Sequence, residues 1–375
     1  MVSKARQLAQ SASAPESRKN LVTNGAMQVA QRGASLTGQT ATNDVFVVDR
    51  FHTEISGPTS FDIARVTDSP DEFSYSLKVT SNGAFSASSG QYLIPFEQRF
   101  EGQDLQHLLY GTSSAKSITV SFHIKSTKTG TYVLQARHQS TAGQERIQAQ
   151  SYTISSANTW EKKTITFSGD TNDDIANDNA GRFTLFWWMI AGSGFSDGTL
   201  ATSWQDTVAG NRAVGVASSS ADDDSWQIAG VQMEVGSVAT EFEHRSFGQE
   251  LALCQRYYHR QVRTDTTDAS DPSRFNNTAG IYLGLAQITG ATDGFLPVNM
   301  PTTMRTTPTI SQTEVPDISV FPGSNIVLTA FSIVGHEMHN LIFISLAFAS
   351  GGTANDAARV FINTVGSFVD FDAEI

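Results

Sequence analysis

Cysteine is almost missing: Cys254 stands alone in 375 residues. One thiol cannot close an intrachain disulfide, so no disulfide framework holds the chain, and a multi-cysteine zinc site is excluded with it. Long apolar runs are missing too. Nothing approaches the roughly 18 consecutive apolar residues of a spanning helix, so no membrane insertion is expected. Positive charge is scarce, with 25 Lys and Arg against 37 Asp and Glu and a formal net charge of −12. A nucleic-acid binder shows a basic face, and this chain does not; nucleic acid is not an expected partner. The opening MVSKARQLAQSASAPESRKN carries charge but no apolar segment, so it does not read as a secretory signal peptide. The expectation is a chain made in a reducing cytoplasm that leaves it, if at all, by a route such as lysis.

What is present points to β structure. Hydrophobic residues make up 39% and charged residues only 17%, in a background rich in Ser, Thr, Asn and Gly. Strand faces carrying hydroxyls and amides have that composition. Ser117–Lys125 alternates without a break, which turns Ile118, Val120, Phe122 and Ile124 inward. A turn at Lys128-Thr129-Gly130 follows, and Tyr132–Arg137 reads as the returning hairpin partner. Further short strands fall at 152–154, 162–167 and 183–190, between Gly/Asn/Asp/Ser turns. Such spacing predicts a jelly-roll β-sandwich. No strand-helix-strand rhythm appears, so a doubly wound fold is not expected.

The period changes within Trp226–Arg260. Trp226, Ile228, Val231, Met233 and Val235 form a strand whose alternation slips at Ala229-Gly230, the mark of a β-bulge. Ser246 and Gln249 then have capping-box spacing. Leu251, Cys254 and Tyr258, with Tyr257 beside them, fall on one helical face and read as packing at a domain joint or between subunits. β signals resume from 280 to the end. The chain is therefore expected to be all-β, with an N-terminal arm (1–19), a jelly-roll sandwich (20–245), a short linker helix (246–262) and a smaller C-terminal antiparallel sandwich (263–375).

Candidate chemistry is sparse. In GDTNDDIANDNAG, Asp170, Asn172, Asp174 and Asp178 have the first, third, fifth and ninth spacing of a calcium loop, whose hard oxygens must meet around one point. Ile175 replaces the loop's glycine and Gly181 its bidentate glutamate, so a solvated connecting loop is the competing reading. A structural calcium is the one cofactor this pattern suggests. His336-Glu337-Met338-His339 only imitates a zinc-protease motif, because its histidines are three apart in a strand-rich region. No catalytic residue is assigned. Rings that stack on sugar faces are the ligand-binding candidates, and the chain offers Trp160, Trp187, Trp188, Trp204 and Trp226. Trp187 and Trp188 are adjacent on a strand, so they face opposite ways. Trp204, in a Gly/Ser/Asp-rich loop, reads as the most exposed.

Several segments stand in a familiar order: NLVTNGAMQVAQRG, VVDRF, FEQRFEGQDL, AKSITVSFHIKSTKTGTY, NTWEKKTITFSGDT and WQIAGVQMEVGSVATEFEHR, then ELALCQRYY and LPVNMPTTMRTTPTI. Over residues 20–375 this resembles structural proteins of tailed bacteriophages, of the tail-fibre and head-appendage type. The first domain is also similar to carbohydrate-binding-module jelly rolls. Where such modules read Asn-Gly-Asp-Phe-Glu, this chain has Asn24-Gly25-Ala26-Met27-Gln28, without their calcium-serving acid. The resemblance implies a non-enzymatic virion component, assembled in the host cytoplasm and released by lysis. Its implied partners are other virion proteins, through the N-terminal arm, further copies of itself in a homotrimer, and host cell-surface glycan. The expected role is adhesion by a tail-fibre or appendage subunit. A capsid decoration or head-fibre protein is the alternative within that class, and a glycan-degrading enzyme the alternative outside it.

Overall fold

The computed structural model describes residues 19–40, 45–57, 59–262, 281–312, 318–321, 326–338, 340–348, 350, 352–354, 357–362 and 368–375. The arm, but for Lys19, and His339 of the histidine motif lie outside them. The chain divides into two compact units, one ending at Phe247 and one beginning at Gly248.

The first unit is a sandwich of two antiparallel sheets. One has six strands in the order Ser35–Gln39, Phe61–Val66, Ser76–Ser81, Ser225–Val235, Ile118–Ser126 and Glu161–Phe167. The other runs Gln205–Asp206, Glu145–Ile154, Gly130–Gln139, Gly181–Trp188, Tyr92–Glu101, His52–Ser56 and Val45–Phe46, with Ile190–Ala191 also on Tyr92–Glu101. Ile118, Val120, Phe122 and Ile124 are buried, as their alternation predicts, in a core that includes Leu134, Phe183 and Trp187 of the facing sheet. Phe122 and Trp187 meet edge to face across it at 5.6 Å. Each such ring contributes about 2–3 kcal/mol through the apolar area it removes from water.

The hairpin expected at Lys128-Thr129-Gly130 does not form. Ile118–Ser126 pairs with Glu161–Phe167 and Ser225–Val235, whereas Gly130–Gln139 pairs with Glu145–Ile154 and Gly181–Trp188. The turn carries the chain from one sheet to the other. Both strands bury one face in the same core, so local sequence cannot distinguish this crossing from a hairpin.

The first described residues, from Lys19 on, lie beside the last strand of the unit. The Asn20 amide donates to the Val231 carbonyl at 3.1 Å and accepts from the Met233 N–H at 3.1 Å. The Glu243 carboxylate accepts the Asn20 N–H at 2.8 Å, and Arg245 donates to the Val22 carbonyl at 3.0 Å. Asn24, in the left-handed region at φ 60°, bridges the Val29 and Asp49 carbonyls. A Cβ on Gly25 would stand 2.0 Å from the Val231 oxygen. The motifs NLVTNG, VVDRF, VQMEVG and ATEFEHR are thus fasteners that close the sandwich.

The Phe247–Gln255 helix, directly after Ser246, starts on the last residue of the first unit and continues into the second. The helix expected to reach 262 stops short, because Tyr258–Val262 is a strand paired with Phe368–Asp372. Tyr258-His-Arg-Gln-Val262 is too short and too polar to fix its own period, and a partner more than a hundred residues away decides. Cys254, Tyr257 and Tyr258 are buried and Leu251 is half-buried. The Arg260 guanidinium forks onto Asp370 through two 2.7 Å bonds. Six further strands pair antiparallel in a closed ring: Ile281–Ile288, Asp293–Asn299, Leu341–Phe348, Ile326–Met338, Ile318–Phe321 and Ala357–Ile362. Leu296, Ile344, Leu346, Val360 and Phe371 belong to this unit's own core.

Candidate functional site

The structure places the tryptophans and the acidic loop singled out in the sequence, and packs most of their side chains against the protein's own residues. Trp187 points into the sandwich core. Trp188 points the other way and is equally buried, because Phe195, Leu200, Ala201, Ala213 and Val216 fold over that face of the sheet. Its indole N–H donates to the Gln135 side-chain oxygen at 2.8 Å, and the Arg212 guanidinium lies 4.8 Å from the ring. The outward tryptophan is thus spent on the protein's own loop. Trp204 is half-buried, wedged edge to face against His138 and Tyr110 at 4.9 and 5.8 Å, with its N–H on the Ser168 carbonyl at 2.6 Å.

The acidic loop does not converge. Asp170 is buried and accepts from Arg146 Nε at 2.8 Å, with His138 Nε2 at 2.9 Å. Burial alone would raise its carboxyl, but the hydrogen bonds from His138 and Arg146 outweigh that and hold it at about 2. Asp174 caps Thr141 at 3.0 and 2.6 Å, Asp178 pairs with Arg182, and the exposed Asn172 donates its backbone N–H to Asp170. Each oxygen set faces a different partner, two of them cationic. Among the described residues no group of three His, Cys, Asp or Glu is placed to hold a metal.

A site does form on the outer face of the six-stranded sheet. Lys162, His123 and Ala229 stand in register across three neighbouring strands. The next residue, Gly230, sits at φ +60° where the register slips, so the bulge read from the sequence is present. The Ser69–Phe73 turn folds over this bulge, and Phe73 packs against His123, Phe242 and His244 at 5.5, 4.9 and 5.6 Å. Beside it lies a groove of about 490 Å³ lined by residues of the turn, His123, Trp160, Lys162 and Glu241. That volume lies in the range of small-ligand sites.

Trp160 is half-buried at the head of the Glu161–Phe167 strand, and Asp68 fixes its edge. The indole N–H donates to one Asp68 oxygen at 3.3 Å, while Lys125 and Gln227 donate to the other at 2.7 and 3.3 Å. The bond from Lys125, with those from Trp160 and Gln227, holds the Asp68 carboxyl below its ordinary range. Lys125 Nζ lies over the indole, 5.9 Å from its centroid. Burial pushes the His123 imidazole down, Lys162 adds to this and Glu72 opposes it, so the ring is neutral near pH 7. An oriented indole, a neutral imidazole, an amine and carboxylates can stack on a sugar ring and hydrogen-bond its hydroxyls.

A second polar cluster, unmarked in the sequence, lies on the other sheet. Arg99 links Glu97, at 2.6 Å, to Glu54, at 3.2 Å, and the second oxygen of Glu97 is buried without a hydrogen-bond partner. Burial, reinforced by the charge of Glu54, raises Glu97 to about 8 against the opposing effect of Arg99.

Trp160 is one of five tryptophans, and no period or motif in the sequence sets it apart. Its polar setting, SSANTWEKK, was the available signal, the same one that favoured Trp204. Asp68, Phe73 and Glu241 carried none, since the groove is assembled from four distant segments.

No family model matches the chain, and no curated protein does. Solved structures are similar to part of it. A bacteriophage CBA120 tailspike protein 4 enzymatically active domain is 14% identical over 58% of this chain and 21% of its own, with a TM-score of 0.30. The chain thus spans about a fifth of that structure's length. A putative sugar binding protein from Bacteroides thetaiotaomicron is 12% identical over 58% of this chain and all of its own, at a TM-score of 0.33. The C-terminal family 22 carbohydrate binding module of Clostridium thermocellum Xyn10B is 9% identical over 54% of this chain and 96% of its own, at 0.30. At such scores the site rests on this chain's own residues.

Proposed function

We propose that this chain is a structural virion protein of a tailed phage, a tail-fibre or appendage subunit, and that the Trp160 groove is where it meets host-surface glycan. The observation that carries the glycan reading is an accessible indole, clamped by Asp68, on the wall of a ligand-sized groove. The virion assignment rests on the resemblance of NLVTNG, VVDRF, VQMEVG…ATEFE and ELALCQRYY to such proteins. The role is adhesion without turnover. The subunits form a homotrimer, docked to the particle through the N-terminal arm, and repeated display raises avidity without any strong single site.

The test is calorimetric binding of the purified chain to host surface polysaccharide. Trp160→Ala should weaken it at least about tenfold, the 1.4 kcal/mol scale of a central aromatic contact. Unchanged affinity would remove the groove from the proposal, and shortening of the polysaccharide would favour the enzymatic alternative. Labelling of particles with an antibody to the chain separates tail from capsid. Signal on the capsid lattice would give the head-fibre alternative.

A further inference from the structure

We propose that the groove selects a sugar bearing a free, protonated amine, an inference that rests on the groove being the glycan site. Asp71, Glu72 and Glu241 line it, and among the described residues none of the three makes a side-chain hydrogen bond or ion pair. Neighbouring acids are treated differently. Asp68 is bound by Lys125, Gln227 and Trp160, and Glu243 by Arg245. The lining thus holds three exposed carboxylates and one cation, Lys162, so the groove is net negative on a chain of net charge −12. A uronic-acid or phosphorylated glycan would enter against that field. A protonated amine would enter with it and gain charge-assisted hydrogen bonds to the carboxylates. The π-face of Trp160 favours the same sign, and the charge of Lys125 near the indole is balanced by its pairing with Asp68 at 2.7 Å.

The decisive experiment compares three oligosaccharides of equal length by calorimetry with the full chain: glucosamine, N-acetylglucosamine and galacturonic acid oligomers. Because an acidic protein attracts any polycation, binding is scored as the part lost in Trp160→Ala. The glucosamine oligomer should bind at least about tenfold tighter than its N-acetylated form, the size of a single charged contact. The galacturonate should not register. Glu72→Gln with Glu241→Gln, both at exposed positions that leave the fold intact by circular dichroism, should erase the preference, so that the glucosamine oligomer binds no tighter than its N-acetylated form. Equal or tighter Trp160-dependent binding of the N-acetylated or acidic oligomer overturns the charge selection and leaves the glycan site standing. Absence of Trp160-dependent binding by all three overturns both.

Discussion

A Cβ added to Gly230 would stand 2.4 Å from Phe73 Cζ and 3.0 Å from His123 Nδ1. The bulge is therefore a fitted part of the groove. Glycine there serves two ends, since φ is +60° and the ring above needs the space. Gly230→Ala should cost about 2 kcal/mol or more, from left-handed backbone and overpacking together, read as a lower urea midpoint. Glycan binding should fall with it, because Phe73 must move. An unchanged midpoint would show that the turn yields freely.

Asp68 positions Trp160 and lies outside the residues that line the groove. Asp68→Ala should loosen the indole and leave Lys125 and Gln227 without their acceptor. The expected result is several-fold weaker glycan binding with little change in melting temperature, because the carboxylate is half exposed. Asp68→Asn, which keeps an acceptor for the indole, should recover part of the loss. Equal binding by wild type and Asp68→Ala would mean that packing alone orients the ring.

How far the sequence reached depended on distance along the chain. Ile118 to Ile124 lay on one face by period alone, and the slip at Ala229-Gly230 marked the bulge. The burial of Trp188 was not legible, since the residues that cover it come from a later loop. The end of the helix at Gln255 was hidden for the same reason: Tyr258–Val262 takes its form from the last strand. Trp160 was visible as a residue but not as a site, because Asp68, Phe73, His123 and Glu241 join it only through pairing and packing.

Glu97 makes stability depend on pH. In the fold its carboxyl stays protonated up to about pH 8, whereas the unfolded chain ionises it near its ordinary 4.5. The unfolded state holds fewer protons between these values, so stability falls as pH rises through that window, with a slope approaching about 1.4 kcal/mol per pH unit. Urea titrations at several pH values should show the decline in wild type. In Glu97→Gln it should be flattened. A decline of the same slope in the variant would assign it to another group.

Asp170 acts with the opposite sign. Held at about 2 in the fold against an ordinary 3.8, it adds stability above that range that is lost as pH falls through it. Asp170→Asn should be strongly destabilising, by about 3 kcal/mol, because the buried Arg146 loses its charged partner and one of the two acceptor oxygens becomes an N–H donor facing it. Calcium, by contrast, should not raise the melting temperature, nor a chelator lower it. The loop's oxygens already face Arg146, Thr141 and Arg182, so a shift of several degrees with calcium would require them to regroup.

Tyr257 tests the independence of the two cores. It is buried, its N–H bonds to the Cys254 carbonyl at 2.9 Å, and its own carbonyl accepts from Ala373 at 2.7 Å. An aspartate there would bury an unpaired charge where the helix end meets the last strand's continuation. Tyr257→Asp should therefore unfold the second unit. Leu251→Asp should do less, since Leu251 is only half-buried. The Trp160 groove is lined by residues between Ser69 and Glu241, all in the first unit, whose core contains none of the second unit's residues. Calorimetry of Tyr257→Asp should accordingly show one transition lowered or lost and another retained, with monovalent glycan affinity within about twofold of wild type, inside the 0.5 kcal/mol expected of a distant, independent site. Joint loss of both transitions and of binding would show that the units fold as one.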